Sequence, residues 1–221
     1  MCNSECWYKE VCSHYADKCQ LNCVQYLEMS YLMEHSGIPI SKRRPLALYP
    51  DKCDLGAFGR LAEIKDNIDD FVFNGKNLYI TSYIVGNGKT TWSLKLLMKY
   101  FEKIWQGNGF EPRGVFVHVP TFLLKCKDFK TVDREFEDLK RQLLDIDLVV
   151  WDDIASTDLT GYDLSQMLVY IDARCLADKA NIFTGNIASR DLMEQALGTK
   201  LTSRIWNNST EVVELKGGER R

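Results

Sequence analysis

The chain of 221 residues is long enough for one full-sized domain and a small appendage. Hydrophobic residues make up 45% and charged residues 27% of it, the composition of a soluble globular protein with a real core. The formal net charge of −3 argues against a protein coated in nucleic-acid-binding charge, and leaves room only for a local basic stripe.

Two further features of the sequence bear on the cellular location of the protein. No run approaches the ~18 apolar residues of a membrane-spanning helix, and the first residues lack the basic-then-apolar form of a signal peptide. We therefore expect a cytoplasmic protein with reduced thiols and no membrane association.

Cysteines crowd the start of the chain in the pattern C-x3-C-x5-C-x6-C-x3-C. In a reducing compartment such a cluster is more typical of a metal site than of disulfides, and bound Zn²⁺ could fold a segment too short for its own core. A Cys₄ iron–sulfur cluster is the alternative cofactor, and cysteines packed as small hydrophobes are the alternative without metal. The preferred zinc ligands are Cys6, Cys12, Cys19 and Cys23, with Cys2 or His14 as substitutes.

The next segments lead into the main domain. Residues 24–37 have the apolar spacing of a short helix, with Gly37 as its stop. Residues 38–58 contain three prolines and the basic run 42–44, which is typical of a solvated linker. Contact of this run with a phosphate backbone is the alternative. We expect three parts: a Cys-rich region at 1–37, the linker at 38–58 and a domain at 59–221.

An amphipathic helix is predicted over 61–73, and the short apolar run 78–80 that follows it reads as a buried strand. After this strand comes Gly86-Asn87-Gly88-Lys89-Thr90, which is similar to the end of a phosphate-binding P-loop. Glycines let backbone N–H groups turn towards phosphates, a lysine reaches the β- and γ-phosphates, and a Ser/Thr hydroxyl binds Mg²⁺. The next helix, with leucines at 94 and 97, directs its N-terminus at the same anion.

The P-loop pattern departs from G-x-x-x-x-G-K-[ST] at one position. Tyr83 stands where the first glycine belongs, which predicts a loop that is wider or less regular at its start.

Acidic residues end a third predicted strand. A strand at 115–119 and a charge-rich helix at 131–144 come first, and then the four apolar residues 148–151 lead into Asp152 and Asp153. At the carboxyl end of a parallel strand, Asp152 would complete the Mg²⁺ shell, and Asp153 would orient or deprotonate an attacking water.

The last third of the chain continues the alternation of helices and strands. A helix at 164–176 precedes a strand at 180–186 with a polar tip, where Asn186 could hold the water or the γ-phosphate; a plain turn is the alternative. A short helix at 190–197 ends at Gly198, Arg204 lies on a mixed helix, and residues 212–213 form a final edge strand.

These residues together resemble the AAA+ helicase loaders of the DnaC/DnaI type, especially phage-encoded ones, over roughly residues 36–221. The matching segments are G-N-G-K-T-T at 86–91, D-L-V-V-W-D-D at 147–153, F-T-G-N at 183–186, L-T-S-R-I at 201–205 and the terminal G-G-E-R-R. The resemblance implies an α/β AAA+ P-loop NTPase with a central parallel sheet flanked by helices, preceded by a small Cys-rich, metal-binding N-terminal region that grips the helicase.

The resemblance also implies roles for individual residues. Lys89, Asp152, Asp153 and Asn186 would serve catalysis, and Arg204 would enter the neighbouring subunit's site, so that hydrolysis requires a homo-oligomer. Arg221 is a weaker match to a phosphate sensor. Thr90 and Asp152 would hold Mg²⁺. The nucleotide-binding set is Gly86, Asn87, Gly88, Lys89, Thr90 and Thr91.

The implied function is ATP-dependent delivery of a DnaB-type replicative hexameric helicase onto single-stranded DNA, in a bacterial host's cytoplasm if the protein is phage-encoded. Phe122, Lys125 and Lys127 are the candidate DNA contacts. Two alternatives stay open: an IstB-type transposition helper ATPase, and a metal-dependent binding module whose nucleotide site is degenerate, as Tyr83 suggests.

Overall fold

The protein was analysed as a computed structural model, which describes residues 6, 8–10, 12–15, 19–20, 22–128, 133–155 and 158–219. Within these ranges five strands form one fully parallel sheet in the order β2-β3-β4-β1-β5, with helices on both faces. The strands are β1 (Asn77–Thr81), β2 (Gly114–His118), β3 (Leu148–Ile154), β4 (Ala180–Gly185) and β5 (Glu211–Glu214). The helices are α1 (Val24–Glu34), α2 (Leu55–Asp66), α3 (Ile68–Phe73), α4 (Lys89–Ile104), α5 (Val119–Lys127), α6 (Arg134–Asp145), α7 (Gly161–Leu176) and α8 (Arg190–Ile205).

The strands are buried on both faces because alternate side chains enter two separate cores. Leu78 and Ile80 of β1 pack with α1 to α4, whereas Tyr79 between them packs with α5 to α8. β3 divides in the same way, with Val150 on the first face and Trp151 on the second. The predicted parallel α/β architecture is confirmed.

Two helix boundaries differ from the sequence prediction, and a third is as predicted. The helix expected over 61–73 is two helices, α2 and α3, that meet at Asn67, where the backbone leaves helical geometry (φ −111°, ψ 34°). Pro120, predicted to end a strand, lies in the first turn of α5, where its missing N–H costs no hydrogen bond. Gly198 (φ 76°) breaks α8 into two halves, as its position after residue 197 predicted.

The N-terminal helix α1 joins the main core. Met29, Leu32 and Met33 are 1–2% exposed and pack in the same cluster as Leu97 and Met98 of α4. Residues 22–37 are therefore anchored to the sheet domain, and the division at residue 37 stays a prediction.

Among the described residues, none of the helices combines the length and the apolar character needed to cross a bilayer.

Candidate functional site

A cleft of about 430 Å³ opens at the carboxyl ends of the strands, where β1, β3 and β4 lead into loops. In parallel α/β sheets this edge is where ligands bind. The residues lining the cleft are Lys42, Leu48, Val85, Gly86, Asn87, Gly88, Lys89, Thr90, Thr91, Leu94, His118, Asp152, Asp153, Thr184 and Asn186. All predicted nucleotide-binding residues lie here, as do the predicted catalytic residues except Arg204.

The loop between β1 and α4 is shaped by its glycines. Gly86 (φ 77°) and Gly88 (φ 106°) have the left-handed backbone that a side chain would strain. Gly88 caps α4, so the free N–H groups of the first helical turn face the cleft and suit an anion.

Tyr83 occupies the first position of this loop. It is 62% exposed and lacks the positive φ that would require glycine at its position. The backbone is therefore compatible with a side chain there, and a loop that is wider or less regular at its start stays a prediction.

Asn87 supports the loop from inside. Its fully buried amide donates to the Ser82 hydroxyl and to the Leu215 carbonyl oxygen (3.2 Å). Ser82 in turn accepts from the Ile84 N–H (3.0 Å). Asn87 therefore ties the loop to the segment that follows β5, and only its backbone remains for a phosphate.

Lys89 opens α4 and its Nζ donates to the Ile84 carbonyl oxygen (3.2 Å). Burial lowers the pKa of Lys89, and the nearby Asp153 and Asp152 carboxylates oppose that effect. A bound phosphate would replace the neutral carbonyl by a charged partner and so favour the ammonium form.

Asp152 holds two hydroxyls at the floor of the cleft. Its Oδ1 accepts from Thr90 Oγ1 (2.8 Å) and from Thr184 Oγ1 (2.7 Å). Burial raises the pKa of Asp152, the two hydroxyl hydrogen bonds lower it, Asp153 raises it further and His118 lowers it. The Thr90 hydroxyl and the Asp152 carboxylate are hard oxygen donors side by side, and they fit Mg²⁺.

Asp153 reaches the same cleft through a backbone irregularity. Successive side chains of a regular strand point to opposite faces, so adjacent acids would diverge. The β3–β4 register shifts between Trp151 and Ile154, and Asp153 has a left-handed backbone (φ 64°). Its N–H donates to Thr184 Oγ1 (2.9 Å). Such a bulge redirects a side chain, and a non-glycine residue adopts φ > 0 at a cost of roughly 1–2 kcal/mol.

Six residues of the cleft had no role assigned from the sequence: Lys42, Leu48, Val85, Leu94, His118 and Thr184. His118 is the last residue of β2 and Thr184 the last but one of β4, and a search for polar residues near strand ends would have assigned them to the site. Lys42 and Leu48 come from the linker, and no local pattern connects them to a loop some 40 residues later.

The buried Asp152 charge leads to a stability prediction. The pKa of Asp152 is higher in the folded than in the unfolded state, so the ionised carboxyl destabilises the fold at pH values above the unfolded-state pKa. That penalty disappears as the pH falls below the unfolded-state pKa. Asp152→Asn keeps an oxygen acceptor for both hydroxyls but carries no charge. We expect it to raise the Tm of the nucleotide-free protein at neutral pH, by about 2–4 °C for each kcal/mol recovered.

Calorimetry from pH 7.5 down to 4 checks this prediction. The Tm difference should shrink with falling pH, and the exposed Asp66→Asn should show no such trend. An Asp152→Asn protein less stable than the wild type at pH 7.5 would contradict the buried-charge argument.

Arg204 lies at the opposite end of the sheet. Its guanidinium pairs with Asp172 of α7, and its carbonyl oxygen accepts from Asn77, the first residue of β1 (3.2 Å). Four strand steps, about 13 Å, separate Asn77 from Thr81 at the cleft edge. Arg204 is therefore outside the cleft of its own chain, and its assignment to a neighbouring subunit's site stays a prediction.

The cysteine cluster is only partly described, and Cys2 lies outside the described residues. Among those described, no group of three or more His, Cys, Asp or Glu side chains is arranged to hold a metal ion. Burial raises the pKa of Cys6, and the thiols of Cys12, Cys19 and Cys23 are near enough to raise it further. The predicted zinc site is therefore not confirmed. Arg221 also lies outside the described residues.

One of the predicted DNA contacts is wrong. Phe122 is 3% exposed and packs against Phe136, Trp151 and Tyr170, so its ring cannot stack on a base. The other two candidates are paired to carboxylates, Lys125 to Asp133 (2.9 Å) and Lys127 to Asp163 (2.8 Å).

Comparisons with known proteins give structural matches only. No model of a protein family matches the sequence, and no curated protein does. The crystal structure of the DnaC helicase loader is similar over 76% of this chain and 94% of its own, with 20% identity and a TM-score of 0.63. The crystal structure of DnaI is similar over 88% of this chain and 99% of its own, with 16% identity and a TM-score of 0.64.

A third similar structure is AMPPCP-bound DnaA from Aquifex aeolicus, with 16% identity and a TM-score of 0.54 over 76% of this chain. This chain spans 48% of that DnaA structure. These likenesses establish the fold alone: the chain has the same fold as the DnaC helicase loader and DnaI structures, as the sequence resemblance predicted.

Proposed function

We propose that this chain is an ATP-dependent loader that delivers a DnaB-type replicative hexameric helicase onto single-stranded DNA. The observation that carries the proposal is the Thr90–Asp152 hydrogen bond beneath a glycine loop, in a cleft of the AAA+ loader fold. A glycine loop above a hydroxyl and a carboxylate is the arrangement that a nucleoside triphosphate and Mg²⁺ require. DnaC is described as a helicase loader, and a DnaA of the same fold was solved with AMPPCP and single-stranded DNA.

The residues predicted from the sequence have distinct tasks in ATP hydrolysis. Backbone N–H groups of residues 86–91 bind the phosphates together with the N-terminus of α4, and Lys89 neutralises the β- and γ-phosphates. Mg²⁺, held by Thr90 and Asp152, would offset the charge that develops on the phosphates. Asp153 orients the attacking water and accepts its proton, and Asn186 contacts the γ-phosphate or that water.

The proposal includes an oligomer. Because Arg204 lies away from its own cleft, it can act on a nucleotide only in an adjacent subunit. A head-to-tail assembly through the ATPase domain satisfies this condition, and a heterologous interface of this kind forms rings or helical filaments.

The proposal also includes a zinc site in the Cys-rich region, which would grip the helicase. Its support is the spacing of the cysteines in the sequence and a small cavity that Cys6, Cys12 and Cys23 line together. Protein purified without chelator should contain about one zinc per chain, because a tetrahedral site takes four such ligands. Elemental analysis checks this. Cys23→Ser should lose the metal, whereas the exposed Cys53→Ser should retain it. Protein with neither zinc nor iron would reject the site.

The function is tested by affinity capture of the purified replicative helicase. We expect the wild-type chain to retain the helicase when ATP and Mg²⁺ are present. An IstB-type helper would retain a transposase instead, and a degenerate binding module would not respond to nucleotide. Failure to retain any DnaB-type helicase, with a correctly folded protein, would defeat the loader proposal.

A further inference from the structure

Lys42 is a cation that the linker contributes to the nucleotide cleft. It ends a short 3₁₀ turn, Ile40–Lys42, and lines the same cleft as Lys89 and Asp153. Of the basic run 42–44, only Lys42 lines the cleft: the Arg43 side chain donates to the Ile38 carbonyl oxygen (2.9 Å), and Arg44 is exposed. The three basic residues therefore face different surroundings.

The backbone around Lys42 is fixed by the core. The N–H of Lys42 donates to the Pro39 carbonyl oxygen (2.8 Å), and that of Arg43 donates to the Ile40 carbonyl oxygen (3.1 Å). Ile38 is 1% exposed and belongs to the core cluster beneath the sheet. Only the Lys42 side chain must be ordered when a ligand binds, which limits the entropic cost of a contact.

The Lys42 ammonium is available for a ligand. Across the described part of the chain it has no hydrogen-bond or ion-pair partner, whereas Lys89 donates to a carbonyl oxygen. A triphosphate carries more negative charge than Mg²⁺ and Lys89 neutralise together, and the Asp152 and Asp153 carboxylates add to that excess. The Lys42 ammonium, which lines the cleft, offsets part of this excess negative charge.

We infer that Lys42 contacts the phosphates of the bound nucleotide, so that the linker forms part of the nucleotide site and responds to its occupancy. This inference rests on the proposed function, because it assumes that the cleft binds a nucleotide. It reverses the interpretation of the basic run as a purely solvated linker.

The linker is also attached to the segment that follows β5. The buried Asp54 carboxylate accepts from the N–H groups of Lys216 (2.7 Å) and Gly217 (3.0 Å). The preceding residue, Leu215, accepts from Asn87 of the phosphate loop. The linker thus shares the cleft with the loop through Lys42 and is tied to the loop through the segment after β5, which gives the N-terminal region a physical connection to the nucleotide cleft.

Binding of AMPPCP with Mg²⁺, measured by calorimetry on the full chain, tests the inference. We expect Lys42→Ala to weaken binding about tenfold, the worth of one charge-assisted hydrogen bond, and the loss to shrink as salt is raised. Lys42→Arg should bind nearly as the wild type does. Arg44→Ala removes an equal charge from the same run outside the cleft and should change little.

Limited trypsin digestion provides a second readout. The bond after Arg43 remains a cleavage site in Lys42→Ala, whereas the bond after Arg44 precedes Pro45 and resists trypsin. AMPPCP should therefore slow cleavage after Arg43 in the wild type but not in that variant. A purely structural effect of the substitution would change cleavage without nucleotide as well.

The binding measurements distinguish failure of the Lys42 inference from failure of the proposed function. Lys42→Ala binding as the wild type does, or Arg44→Ala losing as much, would overturn the role of Lys42 while leaving the proposed function intact, provided that Lys89→Ala loses binding. Normal binding by Lys89→Ala would instead remove the nucleotide site itself.

Discussion

Lys89→Ala will abolish nucleotide binding and DNA-stimulated ATP hydrolysis. The lysine opens α4 beside Gly88, and it is the cation that the P-loop pattern assigns to the β- and γ-phosphates. Charge-assisted hydrogen bonds contribute about 1.5–3 kcal/mol each, so loss of contacts to two phosphates predicts an affinity at least about 100-fold lower. Calorimetry with AMPPCP and a phosphate-release assay measure both effects.

The Lys89→Ala variant should fold normally, because its only described side-chain partner is the Ile84 carbonyl oxygen and its ammonium is partly desolvated. Lys103→Ala, in the last turn of the same helix, removes an equal charge away from the cleft and is the matched control. Normal turnover in Lys89→Ala would defeat the site assignment.

Arg204→Ala will abolish hydrolysis while leaving nucleotide affinity unchanged. An arginine supplied to a neighbouring subunit's phosphates accelerates other NTPases by about 10³–10⁵-fold, and we expect a loss of at least about 10³-fold in the assembled protein. The partly exposed ion pair with Asp172 contributes only ~0.2–1 kcal/mol, so Tm should change little. Arg190→Ala, at the other end of α8, is the control.

Mixing two inactive variants separates action between subunits from action within one chain. Arg204→Ala chains retain Asp152, and Asp152→Asn chains retain Arg204, so mixed assemblies contain some complete sites. We expect the mixture to regain part of the wild-type rate. Two variants that stay inactive when mixed, although they assemble, would place Arg204 outside the reaction.

The sequence predicted the elements with strong patterns. β1 and β3 are short apolar runs with polar residues at their carboxyl ends, and the order of strands and helices was sufficient for a parallel sheet. The phosphate loop was predictable because its chemistry is local: Gly88, Lys89 and Thr90 are adjacent in the chain.

Features that depend on tertiary contacts could not be predicted. The bulge that turns Asp153 into the cleft arises from pairing with β4, and strict alternation would have separated the two acids. Phe122 comes shortly after a strand, a position from which an aromatic ring could contact DNA. The packing of α5 against Trp151 buries the ring instead. Lys42 enters the cleft only because the linker folds back across it.

The most direct measurement of the central claim is helicase loading onto closed circular single-stranded DNA. A closed hexameric helicase ring cannot thread onto circular DNA, because the circle has no end. Stable association therefore requires a loader that opens the ring or assembles it around the DNA. We predict that the replicative helicase is recovered on the circles only with this protein, ATP and Mg²⁺, and not with Lys89→Ala. Equal recovery without the protein, or no recovery with it, would contradict the account.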